Sequence, residues 1–397
     1  MKILMAGDFC PKSYMTKEVL LDEQIQKTAR NIAELTAKYD ISVVNVETVY
    51  SECDIPLPKR GPNIKSTMES MEFLKAMNFT VAACANNHIG DFGERGVLDT
   101  LANLRKHGLV TMGAGANARE AAQTCYLERA GLTVAFINHC EHEFGTARKD
   151  RAGAAVLDYY DTAKQIREAK EKADAVIVYL HGGNEHNPLP RPGMKKLCRH
   201  FVENGASAVI VAHSHCPQGI EVYNDAPIAY GMGNFYFYHV DPQGMWGKGY
   251  MTSLDVDKNG KVTMEIIPYM QHHENGIHFL EGEEKENFMG YIEYISNLMQ
   301  QEDIYEKFYL AWCNMKAQVV WSTAFNGVPE GRSDRSVLGI RNRFTCESHH
   351  ELLRDYLEAY CDGRIDQSLE PYEALIRRLQ QGEYGENSVQ KSPKRVR

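Results

Sequence analysis

The chain has 397 residues, with 44 Lys and Arg against 53 Asp and Glu and a formal net charge of −9. That length supplies a sizeable core and favours one large α/β domain with an appendage, and that charge excludes the basic footprint of a nucleic-acid-binding protein. No apolar run is long enough to span a membrane, and the apolar start is cut short at Asp8, too early for a signal peptide. The expectation is a cytoplasmic protein without an integral membrane segment. Its ten cysteines lack any Cys-x-x-Cys spacing and several lie in apolar runs, which suits buried free thiols in a reducing compartment.

Taken in order, residues 3–6 form a first strand that delivers Gly7-Asp8, and apolar spacing predicts a helix over 17–38. A strand at 41–47 ends on Asn45 and Glu47, and the proline-containing stretch 48–65 then forms a long irregular loop at the same edge, as loops that serve a site do. A helix at 67–77 leads to a strand at 80–84 that opens onto Asn86-Asn87-His88, with Asp91 and Gly93 before a helix through Val97, Leu101 and Leu104. An ordinary capped turn would also explain Asn86-Asn87-His88. Strands at 109–112, 124–128 and 132–137 follow, the last reaching Asn138-His139-Cys140-Glu141-His142-Glu143, which reads equally as substrate-lining or solvated. A helix covers 159–172.

The stretch 176–237 is the organising one. Two short β-branched runs, 176–180 and 208–212, suit strands buried on both faces, and they end on His181-Gly182-Gly183-Asn184-Glu185 and His213-Ser214-His215. A helix at 194–204, stopped by Gly205, makes the unit β-α-β. A hairpin at 219–230 turns at Asn224-Asp225, and strands at 250–256 and 261–268 join at Asn259-Gly260. Beyond that, patterns at 288–299, 304–320 and 349–360 are helical. The expected organisation is a domain over 1–268, a helical appendage over 269–385 and a disordered tail over 386–397.

Open α/β sheets place ligands at the carboxyl ends of their strands. Those ends here carry Asp8, Glu47, Asn87 with His88, His181, and His213 with His215. A lone histidine in such a place is usually a surface or capping residue, but carboxylates, an amide and the three imidazoles of His181, His213 and His215 on these tips suit two divalent first-row ions. An oxygen-rich pocket favours manganese or iron over zinc.

In order, Gly7-Asp8, Asn45-x-Glu47, Asn86-Asn87-His88-x-x-Asp91-x-Gly93, His181-x-Gly183-x-Glu185, His213-x-His215-x-x-Gln218 and Gly233-Asn234-Phe235 resemble the capsule synthesis protein CapA, or poly-γ-glutamate biosynthesis, family. That family belongs to the calcineurin-like metallophosphoesterases, so the resemblance implies a β-sandwich flanked by helices. It covers about residues 1–240 and leaves the helical part uncovered. By the same motifs, Asp8 and His215 would hold one metal, Glu47 would bridge, and Asn87, His181 and His213 would hold the second. His88 would act on the phosphate, with Asp91 and Glu185 among the catalytic residues. Cys10 stands where the superfamily usually has His, Glu47 where it has Asp, and Ser214 where the CapA group has Pro. Cys10 is expected not to coordinate. The implied activity is metal-dependent hydrolysis of a phosphoester by a metal-activated hydroxide, on a small-molecule or polymer substrate. The alternatives are an accessory of polymer synthesis acting on a γ-glutamyl linkage, and a non-catalytic metal-binding scaffold.

Overall fold

The computed structural model describes residues 1–240, 244–325 and 334–385, so the tail expected from residue 386 lies outside the described residues. Two sheets face each other. In the first, the strands run in the order Gly276–Phe279, Val262–His272, Lys248–Val256, Lys2–Cys10, Ile41–Val46, Val81–Ala83, Val110–Met112, with Asn234–Phe237 added beside the far end of Lys2–Cys10. The second runs Ile220–Tyr223, Ala226–Ala229, Ala208–Ala212, Ala175–His181, Leu132–Cys140, Cys125–Arg129. The central strands of both sheets are parallel, antiparallel hairpins close both edges of the second sheet and one edge of the first, and Val110–Met112 ends the first sheet as a parallel strand. The fold is thus an α/β sandwich of two mixed sheets flanked by helices.

The continuous apolar strands follow from this layering. Ile3, Met5, Ile41, Val43, Val81 and Ala83 face the second sheet and join its core. Their neighbours Leu4, Ala6, Val44, Val46 and Ala82 point the other way, onto Ile25, Ile32, Leu74 and Leu101 of the outer helices. With apolar matter on both faces, alternation disappears from the sequence. Polar ties also cross the sandwich: Tyr179 Oη donates to the Ala6 carbonyl at 2.7 Å. Asn138 accepts from the Cys84 and Ala85 amides and donates to the Tyr179 carbonyl.

Several expectations change. The helix expected over 17–38 is two helices, Lys17–Leu20 and Glu23–Thr36, because the Asp22 carboxylate accepts from the Gln24 and Ile25 amides and caps a new start. The Asn224-Asp225 turn is present with φ of 46° and 65°, as a two-residue hairpin loop of right-handed twist demands. The first sheet continues past residue 268 through Val262–His272 and Gly276–Phe279 before the helices begin. These are Gly282–Leu298, Glu302–Phe325, Asp334–Thr345, Glu347–Cys361 and Glu370–Gln380. Two of them, Asp334–Thr345 and Glu370–Gln380, escape the sequence reading, although Pro371 in the first turn of the latter is a start signal. Phe288, Tyr291, Ile295, Phe308 and Trp312 share one core with the second sheet, so these helices pack directly on the sandwich. Among the described residues no helix is long and apolar enough to cross a membrane.

Candidate metal centre

Strand Lys2–Cys10 shifts register against Ile41–Val46 between Ala6 and Asp8, and against Asn234–Phe237 between Asp8 and Phe9. Such an irregularity re-aims a side chain. Asp8 is fully buried, 2.7 Å from Asn45 Nδ2, 3.8 Å from His181 Nδ1 and 3.5 Å from His215 Nδ1, and it accepts the His213 amide. Burial alone would raise its pKa, but the His215 hydrogen bond and the His181 charge bring it to about 2.

Glu47 is the centre of the arrangement. Its carboxylate is fully buried and neither oxygen has a hydrogen-bond donor. Burial, then repulsion from Asp8, pushes its pKa to about 8. Ligand atoms of Glu47, His181 and His213 all lie within 4.8 Å of one another, as do those of Asp8, Glu47 and His215, so two clusters share one carboxylate. Asn87 Oδ1 stands 3.0 Å from His181 Nε2, the nitrogen that also lies 3.1 Å from His213 Nδ1 and 3.5 Å from Glu47. Burial lowers the pKa of His181 to about 4 and of His213 to about 3, leaving both neutral near pH 7, as metal ligation requires. His213 and His215 take φ of 98° and 54°, a left-handed backbone that costs of order 1–3 kcal/mol per residue and recurs at functional sites.

Beside these clusters, His88 Nδ1 is 2.6 Å from Asp91 Oδ2, and its Nε2 faces Glu47 at 4.0 Å. Asn86 does what the turn reading predicts, accepting from the His88 and Ile89 amides, while Asn87 and His88 are left to the site. Glu185 is more peripheral, half exposed, with Oε1 4.0 Å from His213 Nε2. All nine predicted site residues therefore converge.

Three partners escape the sequence reading. Lys59, buried in the 48–65 loop, pairs with Asp91 and lies 3.3 Å from His88 Nδ1. A single lysine in an irregular loop carries no periodic signal. Asn234 Oδ1 stands 2.9 Å from His215 Nδ1, and Asn45 holds both Asp8 and His181; each sits in a quoted motif without an assigned role. Cys10 packs with Ile64 and Phe237, and burial drives its thiol well up from the usual range. The 138–143 cluster is largely structural rather than solvated. Asn138 ties the sheets, His139 is buried against Thr162, and Glu141 pairs with Arg191. Only Glu143 of that group lines the cavity above the metal centre. This cavity, of about 340 Å³, has Asn87, His88, Glu185 and His213 along one side.

Sandwich and clusters define a protein with a candidate binuclear metal centre on an α/β scaffold. The family described as bacterial capsule synthesis protein PGA_cap matches residues 2–239, and the chain belongs to it. The PGA biosynthesis protein CapA of Bacillus subtilis is 33% identical over 212 residues, covering 52% of this chain and 54% of that protein. The capsule biosynthesis protein CapA of Bacillus anthracis is 29% identical over 215 residues, covering 52% and 51%. The chain thus spans about half the length of these curated relatives. Among solved structures, a novel phosphatase from Mycoplasma pneumoniae aligns with 68% of this chain and 93% of its own, at 16% identity and a TM-score of 0.46.

Proposed function

We propose that the protein is a metal-dependent phosphoester hydrolase of surface-polymer metabolism, working in the cytoplasm. The observation that carries this is Glu47, a buried carboxylate with no donor, shared by one cluster with the neutral imidazoles of His181 and His213 and by another with Asp8 and His215. Two divalent cations would fit that donor set: Asp8 and His215 would hold one, Asn87, His181 and His213 the other, and Glu47 would serve both. When bound, such ions neutralise phosphoryl charge and acidify water. The sulfur-free set of three oxygen donors and three imidazoles supports manganese or iron. The residues do the rest. Asp91, fixed by Lys59 and by the Ile64 amide at 2.6 Å, holds His88 by Nδ1. His88 Nε2 is then free to protonate the leaving oxygen. Glu185 orients His213 from the rim.

The names of the CapA relatives support a substrate from capsule or poly-γ-glutamate metabolism, and the ten free cysteines support a reducing compartment. Those names equally support a second reading, action on a γ-glutamyl amide within polymer synthesis. Hydrolysis of para-nitrophenyl phosphate by Mn²⁺-loaded protein, lost in Glu47→Gln, is the expected result. Cleavage of γ-glutamyl peptides with no phosphoester turnover would favour the second reading.

A further inference from the structure

The cavity above the metal centre is walled on its far side by the helices that the family match does not reach. Lys316 comes from Glu302–Phe325, Asn342 and Arg343 from Asp334–Thr345, and His349 from Glu347–Cys361, while Arg60 enters from the 48–65 loop. Three of these carry positive charge, and their partners are unusual. Lys316 Nζ lies 4.7 Å from the centre of the Trp312 ring, and Arg343 Nη1 is 2.8 Å from the His349 ring nitrogens. Arg343 Nε is buried with no acceptor. Among the described residues, none of Arg60, Lys316 and Arg343 pairs with a carboxylate.

The two cations buried most deeply among the described residues are held by carboxylates. Arg191 is held by Glu141 and Glu351, and Lys59 by Asp91. Burial presses the pKa of both Lys316 and Arg343 downward, with only partial relief from Glu185 and Glu143. Those two carboxylates are engaged otherwise: Glu185 faces His213, and Glu143 accepts from Asn342 at 2.7 Å. A desolvated cation without a counter-ion is costly unless a ligand supplies one.

We infer that the helical C-terminal segment is the specificity wall of this site, where Lys316 and Arg343, with Arg60, receive a second anionic group of a phosphoester substrate. The inference rests on the phosphoesterase reading for where the first group sits, against His88 and the metal ligands. A cavity of about 340 Å³ is at the small end of ligand sites, so both groups belong to one compact molecule or one polymer end. The second group is a carboxylate or a phosphate, either of which a guanidinium binds through paired N–H donors.

The test compares three probes on one carbon skeleton: glycerol 3-phosphate, 3-phosphoglycerate and glycerol 1,3-bisphosphate. Dissociation constants are measured by calorimetry on Mn²⁺-loaded protein in a His88→Ala background, so that turnover does not consume the probe. One of the doubly anionic probes is expected to bind at least about 10-fold tighter than glycerol 3-phosphate, as charge-assisted hydrogen bonds allow. Whichever it is names the anion. That preference should fall toward one in Arg343→Met and in Lys316→Met, the latter deciding alone if the former does not fold. No preference in the parent, or a preference unchanged in the variants, overturns the wall. Turnover by the protein with native His88 is read separately. Preference without turnover of any probe removes the phosphoesterase reading and keeps the wall, whereas turnover without preference does the reverse.

Discussion

Arg191 Nε donates to Glu351 Oε2 at 2.7 Å, joining residues 160 positions apart in an interior where Arg191 is 1% exposed. Arg191 precedes helix Pro192–Glu203, and the same carboxylate accepts the Gly193 amide at 2.7 Å, so it also sits at the positive end of that helix. A Cβ at position 193 would lie 2.1 Å from Glu351 Oε2, which is why glycine stands there. This pair fastens helix Glu347–Cys361 to the loop that follows His181. Breaking one side of a buried pair costs about 3–5 kcal/mol. Because Glu141 still holds Arg191, Glu351→Ala should sit at the lower end, about 3 kcal/mol, in urea unfolding. A loss below about 0.5 kcal/mol would show that the helices do not depend on it.

Glu47→Gln removes a buried carboxylate that has no donor, so the metal-free variant should be at least as stable as the metal-free parent. The difference should appear on adding Mn²⁺. A ligand at 100 times its Kd stabilises by about 2.7 kcal/mol, and the variant should show much less of this, with metal content below two ions per chain. Equal melting shifts for parent and variant would take Glu47 out of the centre.

His88 acts, on this geometry, through a ring held by Asp91 and not as a ligand. His88→Ala should lose about 10²–10⁴ in kcat while keeping its metal. Asp91→Asn, which leaves the ring but weakens its orientation, should lose less and alter the pH profile of kcat. Loss of metal in the His88 variant would make it a ligand instead.

Much of this was legible in the sequence because both strand type and strand end are local signals. Buried parallel strands read as short β-branched runs, and the first polar residue after each run marks the edge, which is how Asp8, Glu47, His181 and His213 come together on paper. What pairs across the sandwich is not local. Asn138 ties the sheets and Lys59 fixes Asp91, yet neither differs in its neighbourhood from an ordinary strand-end amide or loop lysine. The helical part was legible as helices but not as a wall. Helix Glu302–Phe325 is apolar around much of its circumference, since the successive residues Phe308, Tyr309, Leu310 and Ala311 are all buried, so no single face points to its partner.

Glu221 gives a pH dependence of known sign. Its carboxylate accepts from Arg199 at 2.9 and 2.7 Å, from Tyr230 and from Gln300, linking helix Pro192–Glu203 to the connection before helix Glu302–Phe325. Burial opposes ionisation, but these donors, Arg199 first, bring the pKa to about 2. A carboxyl lowered on folding adds stability above its unfolded value, near 4.3, that is lost as pH falls toward 2. The parent should therefore lose stability between about pH 5 and 2.5 more steeply than Glu221→Gln. After allowance for solvent screening, the difference should be no more than about 2 kcal/mol. Parallel acid limbs in thermal melts would show that the pair is too well solvated to matter.

Gly7 is where the backbone decides the chemistry. A Cβ there would lie 2.1 Å from the Gly233 carbonyl oxygen, which belongs to backbone and cannot swing aside. The two strands that meet at this point carry Asp8 on one side and Asn234 on the other, and Asn234 lies against His215. Gly7→Ala must therefore separate them or shift the register of Lys2–Cys10, and either moves Asp8 relative to His215. An overpacked core position costs about 1–3 kcal/mol, so the variant should still fold. Metal content measured on the purified variant should fall at the ion held by Asp8 and His215 before the one held by His181 and His213. Circular dichroism should remain that of the parent. Retention of both ions at parental affinity would show that the close approach of Gly7 and Gly233 does not set the position of Asp8.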